Sequence, residues 1–133
     1  MVRVAFWSDE RSYAKPYWLR SLEQAHDVEV CPFDPDSDEM YDVFVSQINP
    51  VHGFDPSGAN AILNGLKHAS YSVCGKQIPL ILVTEPFSKR GNLCWPDDET
   101  QKVVDELVLQ GSCSQENIAI AVELAIKDLA QGL

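Results

Sequence analysis

The sequence predicts one doubly wound α/β domain, residues 1–133, built on a five-stranded parallel sheet. Three observations point there. Five short apolar runs recur along the chain: Val2–Trp7, Val28–Cys31, Asp42–Ser46, Pro79–Thr84 and Leu107–Leu109. Stretches of helical periodicity separate most of them. The clearest run, Leu80-Ile81-Leu82-Val83, is unbroken rather than alternating, as a strand buried on both faces is. Strands that alternate with helices form a parallel sheet covered on both sides.

Each element follows from its residues. Val2–Trp7 ends at Ser8-Asp9-Glu10, so an apolar strand stops at a polar edge. Trp18, Leu22 and Ala25 then recur at helical spacing, and Pro16 suits a first turn. Val28–Cys31 mixes apolar and acidic residues, the pattern of an edge strand. Pro32–Met40 carries Asp34, Asp36, Asp38, Glu39 and two prolines, which makes it a loop. Asp42–Ser46 is the third strand, and Ile48–Ser57, with two prolines and a glycine, is a second loop. Ala59 to about Ser72 is a helix with Ile62, Leu66 and Ala69 on one face and Gly75 as its stop.

After Pro79–Thr84 a loop runs through Gly91 and Pro96. Asp97-Asp98-Glu99 begins a short helix, where acids suit the positive end of the dipole. Leu107–Leu109 is the fifth strand. Ser112-Cys113-Ser114 offers N-caps for a last helix, with Ile118, Ala121, Val122, Ala125 and Leu129 on one stripe and a stop near Gly132.

Composition removes several function classes. The net charge of −10 opposes direct nucleic-acid binding and an anionic membrane surface, since both need clustered Lys and Arg. It suits solubility and, more sharply, a basic protein partner. No apolar run approaches the roughly 20 residues that span a bilayer. Met1-Val2-Arg3-Val4 leads straight into a strand without a signal-peptide pattern, so a cytoplasmic location is expected. Cys31, Cys74, Cys94 and Cys113 form no Cys-x-x-Cys pair, and His26, His52 and His68 have no ligand spacing. Neither a metal nor a cofactor is expected. There is no glycine-rich phosphate loop.

In such a sheet the functional crevice lies beyond the carboxyl ends of the strands. The residues there are Asp9, Glu10, Gln47, Thr84, Glu85 and Gln110. Val4-Ala5-Phe6-Trp7-Ser8-Asp9-Glu10 resembles the first strand and acidic pair of a bacterial response-regulator receiver domain. Tyr41-Asp42-Val43-Phe44-Val45-Ser46-Gln47-Ile48-Asn49 resembles its third strand and phosphorylation site, and Ile78-Pro79-Leu80-Ile81-Leu82-Val83-Thr84 its fourth strand and switch threonine. Leu107-Val108-Leu109-Gln110-Gly111-Ser112 resembles its fifth strand. The resemblance spans nearly the whole chain. It implies a flavodoxin-like fold, a place in two-component signal transduction, and an interaction face on the last two helices and the fifth strand, where Leu107 stands at the switch aromatic.

The departures from that pattern decide the expected function. Ser8 stands at the first acidic position, leaving Asp9 with Glu10 beside it. Gln47 stands where the phosphate-accepting aspartate belongs; a carboxamide is neutral and cannot form an acyl phosphate. It also removes a charge that Mg²⁺ would use. Gln110 replaces the phosphate-pairing lysine, and Glu85 replaces the small residue after Thr84. The expectation is a non-enzymatic pseudo-receiver with no catalytic residue, acting through a protein partner or a homodimer. Two readings of the pocket stand side by side: a neutral hydrogen-bonded network of Gln47, Gln110 and Thr84, or polar rim residues without a role. Only about ten residues separate the second and third strands, too few for an ordinary crossover helix, so that helix is expected to be reduced or missing.

Two further features carry alternatives. Asn49-Pro50-Val51-His52-Gly53, with Gly65 and Gly75-Lys76, resembles part of the nucleoside deoxyribosyltransferase family, which uses a glutamate nucleophile in the following helix. Ile62, Leu63 and Asn64 occupy the matching place, so no carboxylate is available for sugar transfer. A crevice that binds a nucleotide or other small molecule is the second expectation. Trp95, in a long loop, is either folded back on the sheet or a partner contact; Trp7 and Trp18 are expected in the core.

Overall fold

The computed structural model describes residues 2–8, 16–25, 27–33, 40–50, 55–74, 78–89, 93–111 and 114–131. In chain order these form β1 (Val2–Ser8), α1 (Tyr17–Glu23), β2 (Val28–Pro32), β3 (Val43–Ile48), α2 (Pro56–Cys74) and β4 (Leu80–Thr84). There follow β5 (Phe87–Lys89), β6 (Leu93–Trp95), α3 (Asp98–Val103), β7 (Glu106–Leu109) and α4 (Gln115–Gln131). The main sheet is parallel throughout, in the order β2-β1-β3-β4-β7. That is the flavodoxin-like doubly wound order, and the five-stranded α/β expectation holds.

The apolar runs explain the order. Every residue of β3 and β4 is buried, so these two strands take the middle. β2 leaves Glu29 and Pro32 exposed and takes an edge. Alternation along the strands divides the core in two. On one face Val4, Val45, Ile81 and Val83 meet Trp18 and Leu22 of α1 and Ile118, Val122 and Ile126 of α4. On the other, Phe44, Ile48, Leu80 and Leu82 meet Leu63 and Leu66 of α2, together with Trp95 and Val103. Each fully buried Leu or Ile contributes about 1.5–3 kcal/mol, so the central strands hold the sheet.

The connection from β2 to β3 steps back across β1 in ten residues, 33–42, and its described part holds no helix. Among its described residues, aromatic side chains cover the sheet. Phe33 packs on Phe44 with ring centroids 4.7 Å apart and on Tyr41 at 6.4 Å, both on the α2–α3 face. That is the face a right-handed crossover must use. An aspartate stands just before each of two strands, β3 and β7. Asp42 Oδ2 accepts the Arg3 N–H at 2.9 Å, just before β3, and Asp105 Oδ2 accepts the Leu80 N–H at 2.8 Å, just before β7. Each satisfies an edge N–H that the neighbouring strand has not yet reached.

Several expectations need correction. β3 runs on to Ile48, so Gln47 lies within the strand rather than past its end. The segment after β4 is not a plain loop: Phe87–Lys89 and Leu93–Trp95 pair antiparallel as a small ribbon. α2 begins at Pro56 rather than Ala59, because Asp55 accepts the Ser57 N–H at 3.1 Å and proline suits the first helical position. Ile62 is exposed and Leu63 takes the buried place beside Leu66. On α4, Ala121 is exposed, while Ala119 and Ile126 join the buried stripe. Trp18 is fully buried and Trp7 packs at the margin of the second core. The stops expected at Gly75 and Gly132 lie outside the described residues. None of the described helices is long and apolar enough to cross a membrane.

Candidate functional site

The strand register assembles the site residues at the carboxyl end of the sheet. Ser8 of β1 is the partner of Gln47 on β3, which in turn is the partner of Val83 on β4. Partnered residues of parallel strands share a face, so Ser8 and Gln47 stand beside Val83 on the α1–α4 side. The ladder continues past β7: the Gln110 N–H donates to the Thr84 carbonyl at 2.8 Å. Gln110 is thereby the rung beside Glu85, which is exposed at the rim. This end of the sheet lies at the point where the connections from β1 and β3 diverge, the crevice position of doubly wound folds. Asp9, Glu10, His52 and Phe54 lie outside the described residues.

Gln47 is 4% exposed and Gln110 is 7% exposed. A carboxylate at the first position or an ammonium at the second would need a partner in so little water, and each carboxamide avoids that charge. Gln47 still has a cost. Its Oε1 is buried without a hydrogen-bond partner. A buried, unsatisfied carbonyl costs about 1–3 kcal/mol.

Thr84 separates from the two glutamines. It belongs to the opposite set of alternating residues and faces α2 and the ribbon. Its hydroxyl donates to the Ile48 carbonyl and accepts the Trp95 indole N–H at 2.9 Å. Thr84 and Trp95 are 0% and 2% exposed, so the hydroxyl is committed to the core and Trp95 is a core residue. One rung earlier, the Ser46 hydroxyl donates to the Ile81 carbonyl at 3.1 Å, on the same side. Of the two readings of this pocket, the neutral network of Gln47, Gln110 and Thr84 is not seen: among the described residues no hydrogen bond joins their side chains. The strand register brings them to one end of the sheet, but the pleat puts the hydroxyl on the other face.

Leu107 is half-buried and packs into the α2–α3 core. It also lines a shallow groove with Gln101, Val104, Asp105 and Glu106. The exposed leucine of β7 is Leu109, and α4 exposes Ile120 and Leu124.

Sequence reasoning missed the cluster that fastens α3 to α2. Asp97 Oδ1 accepts the Thr100 N–H at 2.9 Å and the Asn60 amide at 2.9 Å, while the Thr100 hydroxyl donates to Asn60 Oδ1 at 2.7 Å. Burial acts to raise the Asp97 pKa, but the Thr100 N–H, the Asn60 amide and the Thr100 hydroxyl outweigh it and hold the carboxyl below its usual value. The local part was visible as an Asp three residues before a Thr; Asn60 is distant in sequence and was not. Lys67 Nζ donates to the Val103 carbonyl at 2.9 Å and closes the other end of α3. The cluster lies in the α2–α3 layer and serves the scaffold that carries Trp95.

Nothing in the described site resembles a metal or nucleophile centre. No group of three or more His, Cys, Asp or Glu side chains gathers among the described residues. Ile62 and Asn64 are exposed on α2 and Leu63 is buried, so no acid faces the crevice from that helix turn. No protein-family model matches the chain, and neither a curated protein nor a solved structure matches it.

Proposed function

We propose that the chain is a phosphorylation-independent, receiver-like protein-interaction module of a regulatory pathway. The observation that carries this reading is Gln47: a neutral carboxamide, 4% exposed, in the strand position where phosphate would be accepted. Its amide is a poor nucleophile, and the commitment of Thr84 to Ile48 and Trp95 removes the hydroxyl that would follow a phosphoryl group. A domain with this scaffold and without that chemistry acts through its surfaces, on the side of α3, β7 and α4, in the cytoplasm.

The test is phosphotransfer. Wild-type protein and the double variant Gln47→Asp/Gln110→Lys are incubated with acetyl phosphate and Mg²⁺. Neither is expected to acquire hydroxylamine-sensitive phosphate. Ser8 remains neutral, Glu85 remains at the rim and the Thr84 hydroxyl remains on the far face in both. Stoichiometric phosphate on the wild-type chain would end the proposal; on the double variant it would show that the scaffold is still switch-competent.

One observation favours a second reading, a small-ligand site in the same crevice. The unpartnered Gln47 Oε1 would accept a hydrogen bond from an amino or amide group, as a nucleobase edge provides. Ligand-dependent thermal stabilisation across a nucleoside and nucleotide panel is the corresponding measurement, and a flat panel would remove this reading.

A further inference from the structure

We infer that the outer face of α4 is a docking site for a basic amphipathic helix. This names a partner class for the interaction module proposed above and rests on that reading. The inner face of α4 is spent on the core through Ile118, Val122, Ala125 and Ile126. The residues on its outer side form one row at four-residue spacing: Glu116, Ile120, Leu124 and Asp128. All four are exposed, and Ile120 and Leu124 are 55% and 58% exposed. Residues four apart on a helix are neighbours. The row is therefore an apolar pair with a carboxylate at each end, about 18 Å long.

The charges define what fits. Lys127, the only cation of α4, is occupied by Glu123 at 3.1 Å and Asp27 at 3.7 Å. Glu116 and Asp128 have no ion-pair or hydrogen-bond partner among the described residues. A second helix lying along the row at a shallow crossing of about +20° would place its own apolar pair on Ile120 and Leu124. Cations one turn outside that pair would then reach the two carboxylates. A second copy of this chain fits poorly. Antiparallel pairing of two α4 helices sets Glu116 against Asp128, and each chain carries a net charge of −10.

The experiment uses a synthetic helical peptide of about 16 residues with two leucines four apart and a lysine one turn outside each. A matched peptide carries glutamates in place of the lysines. Binding to the full chain is read by fluorescence anisotropy. The lysine peptide should saturate, and its affinity should fall about tenfold in Ile120→Ser/Leu124→Ser and again as salt rises from about 50 to 500 mM. Glu116→Lys/Asp128→Lys should reverse the preference toward the glutamate peptide. Both pairs are exposed, and an unchanged circular-dichroism melt verifies the fold. Absence of saturable binding, equal binding of the two peptides, or indifference to the variants would overturn the inference. So would a concentration-dependent dimer in sedimentation equilibrium that Ile120→Ser/Leu124→Ser dissolves, because the occupant would then be a second copy. Failure here leaves the phosphotransfer result untouched, and phosphorylation of the wild-type chain would sink the underlying reading whatever the peptides do.

Discussion

Replacing Gln47 by leucine should make the protein more stable, against the usual rule that core substitutions destabilise. Gln47 is 4% exposed and its Oε1 has no partner. Leucine removes an unsatisfied acceptor that costs about 1–3 kcal/mol and keeps a side chain of similar bulk beside Val45 and Val83. Allowing for imperfect repacking, the expected gain is about 1–2 kcal/mol. For a chain of 133 residues the unfolding entropy near Tm is about 0.28 kcal/mol/K, so Tm should rise by about 4–7 °C. Urea denaturation followed by tryptophan fluorescence gives the same quantity as a higher midpoint at unchanged slope. Gln47→Glu supplies the pH control. Burial raises the folded pKa of the new carboxyl above its unfolded value of about 4.3. The penalty is then absent below that pH and grows as pH rises toward the folded value. A Gln47→Leu protein less stable than wild type by about 1 kcal/mol or more would refute the reasoning: Oε1 would then have a donor, and the position would be a polar network.

Three other outcomes follow from the same contacts. Thr84→Val leaves the Trp95 indole N–H and the Ile48 carbonyl without their hydroxyl, and should cost about 2–4 kcal/mol with an altered tryptophan emission in the native baseline. Asp97→Ala removes an N-cap and orphans the Asn60 amide, for a loss of about 2–3 kcal/mol by urea denaturation. Because the Asp97 carboxyl is held below its usual pKa, its contribution is present above the unfolded value of about 3.9 and is lost as pH falls through the folded one; the gap between wild type and Asp97→Asn should close in acid.

Much of the scaffold was legible because central strands announce themselves. Leu80–Val83 reads as a strand buried on both faces, as it is, and ten residues between β2 and β3 are too few for an ordinary crossover helix. The packing of Phe33 on Phe44 was not legible, since it joins a residue just past β2 to one on β3, and those strands are not neighbours in the sheet. At the site, the sequence order placed Gln47, Thr84 and Gln110 at one end of the sheet. It could not assign their faces, because a one-residue slip in how β3 pairs with β4 moves every side chain to the other side of the sheet. The pairing of Gln47 with Val83 puts it with the α1–α4 core, and the Thr84 hydroxyl meets Trp95, eleven residues on, through a ribbon that the sequence presents as a loop. On α4 the apolar residues outnumber what one buried stripe needs. The stripe read from the sequence already leaves out Ile120 and Leu124, and both are exposed; the packed helix differs from that reading in exposing Ala121 and burying Ala119 and Ile126.

The proposed function requires that this end of the sheet binds neither phosphate nor its mimics. Amide NMR spectra recorded with and without Mg²⁺ and beryllofluoride, a phosphoryl mimic, test it most directly. The account predicts no saturable shift at Ser8, Gln47, Thr84 or Gln110, at any Mg²⁺ concentration that leaves the fold intact. Saturable shifts at these residues, propagating into β7 and α4, would contradict it and show a pocket that still binds metal or anion.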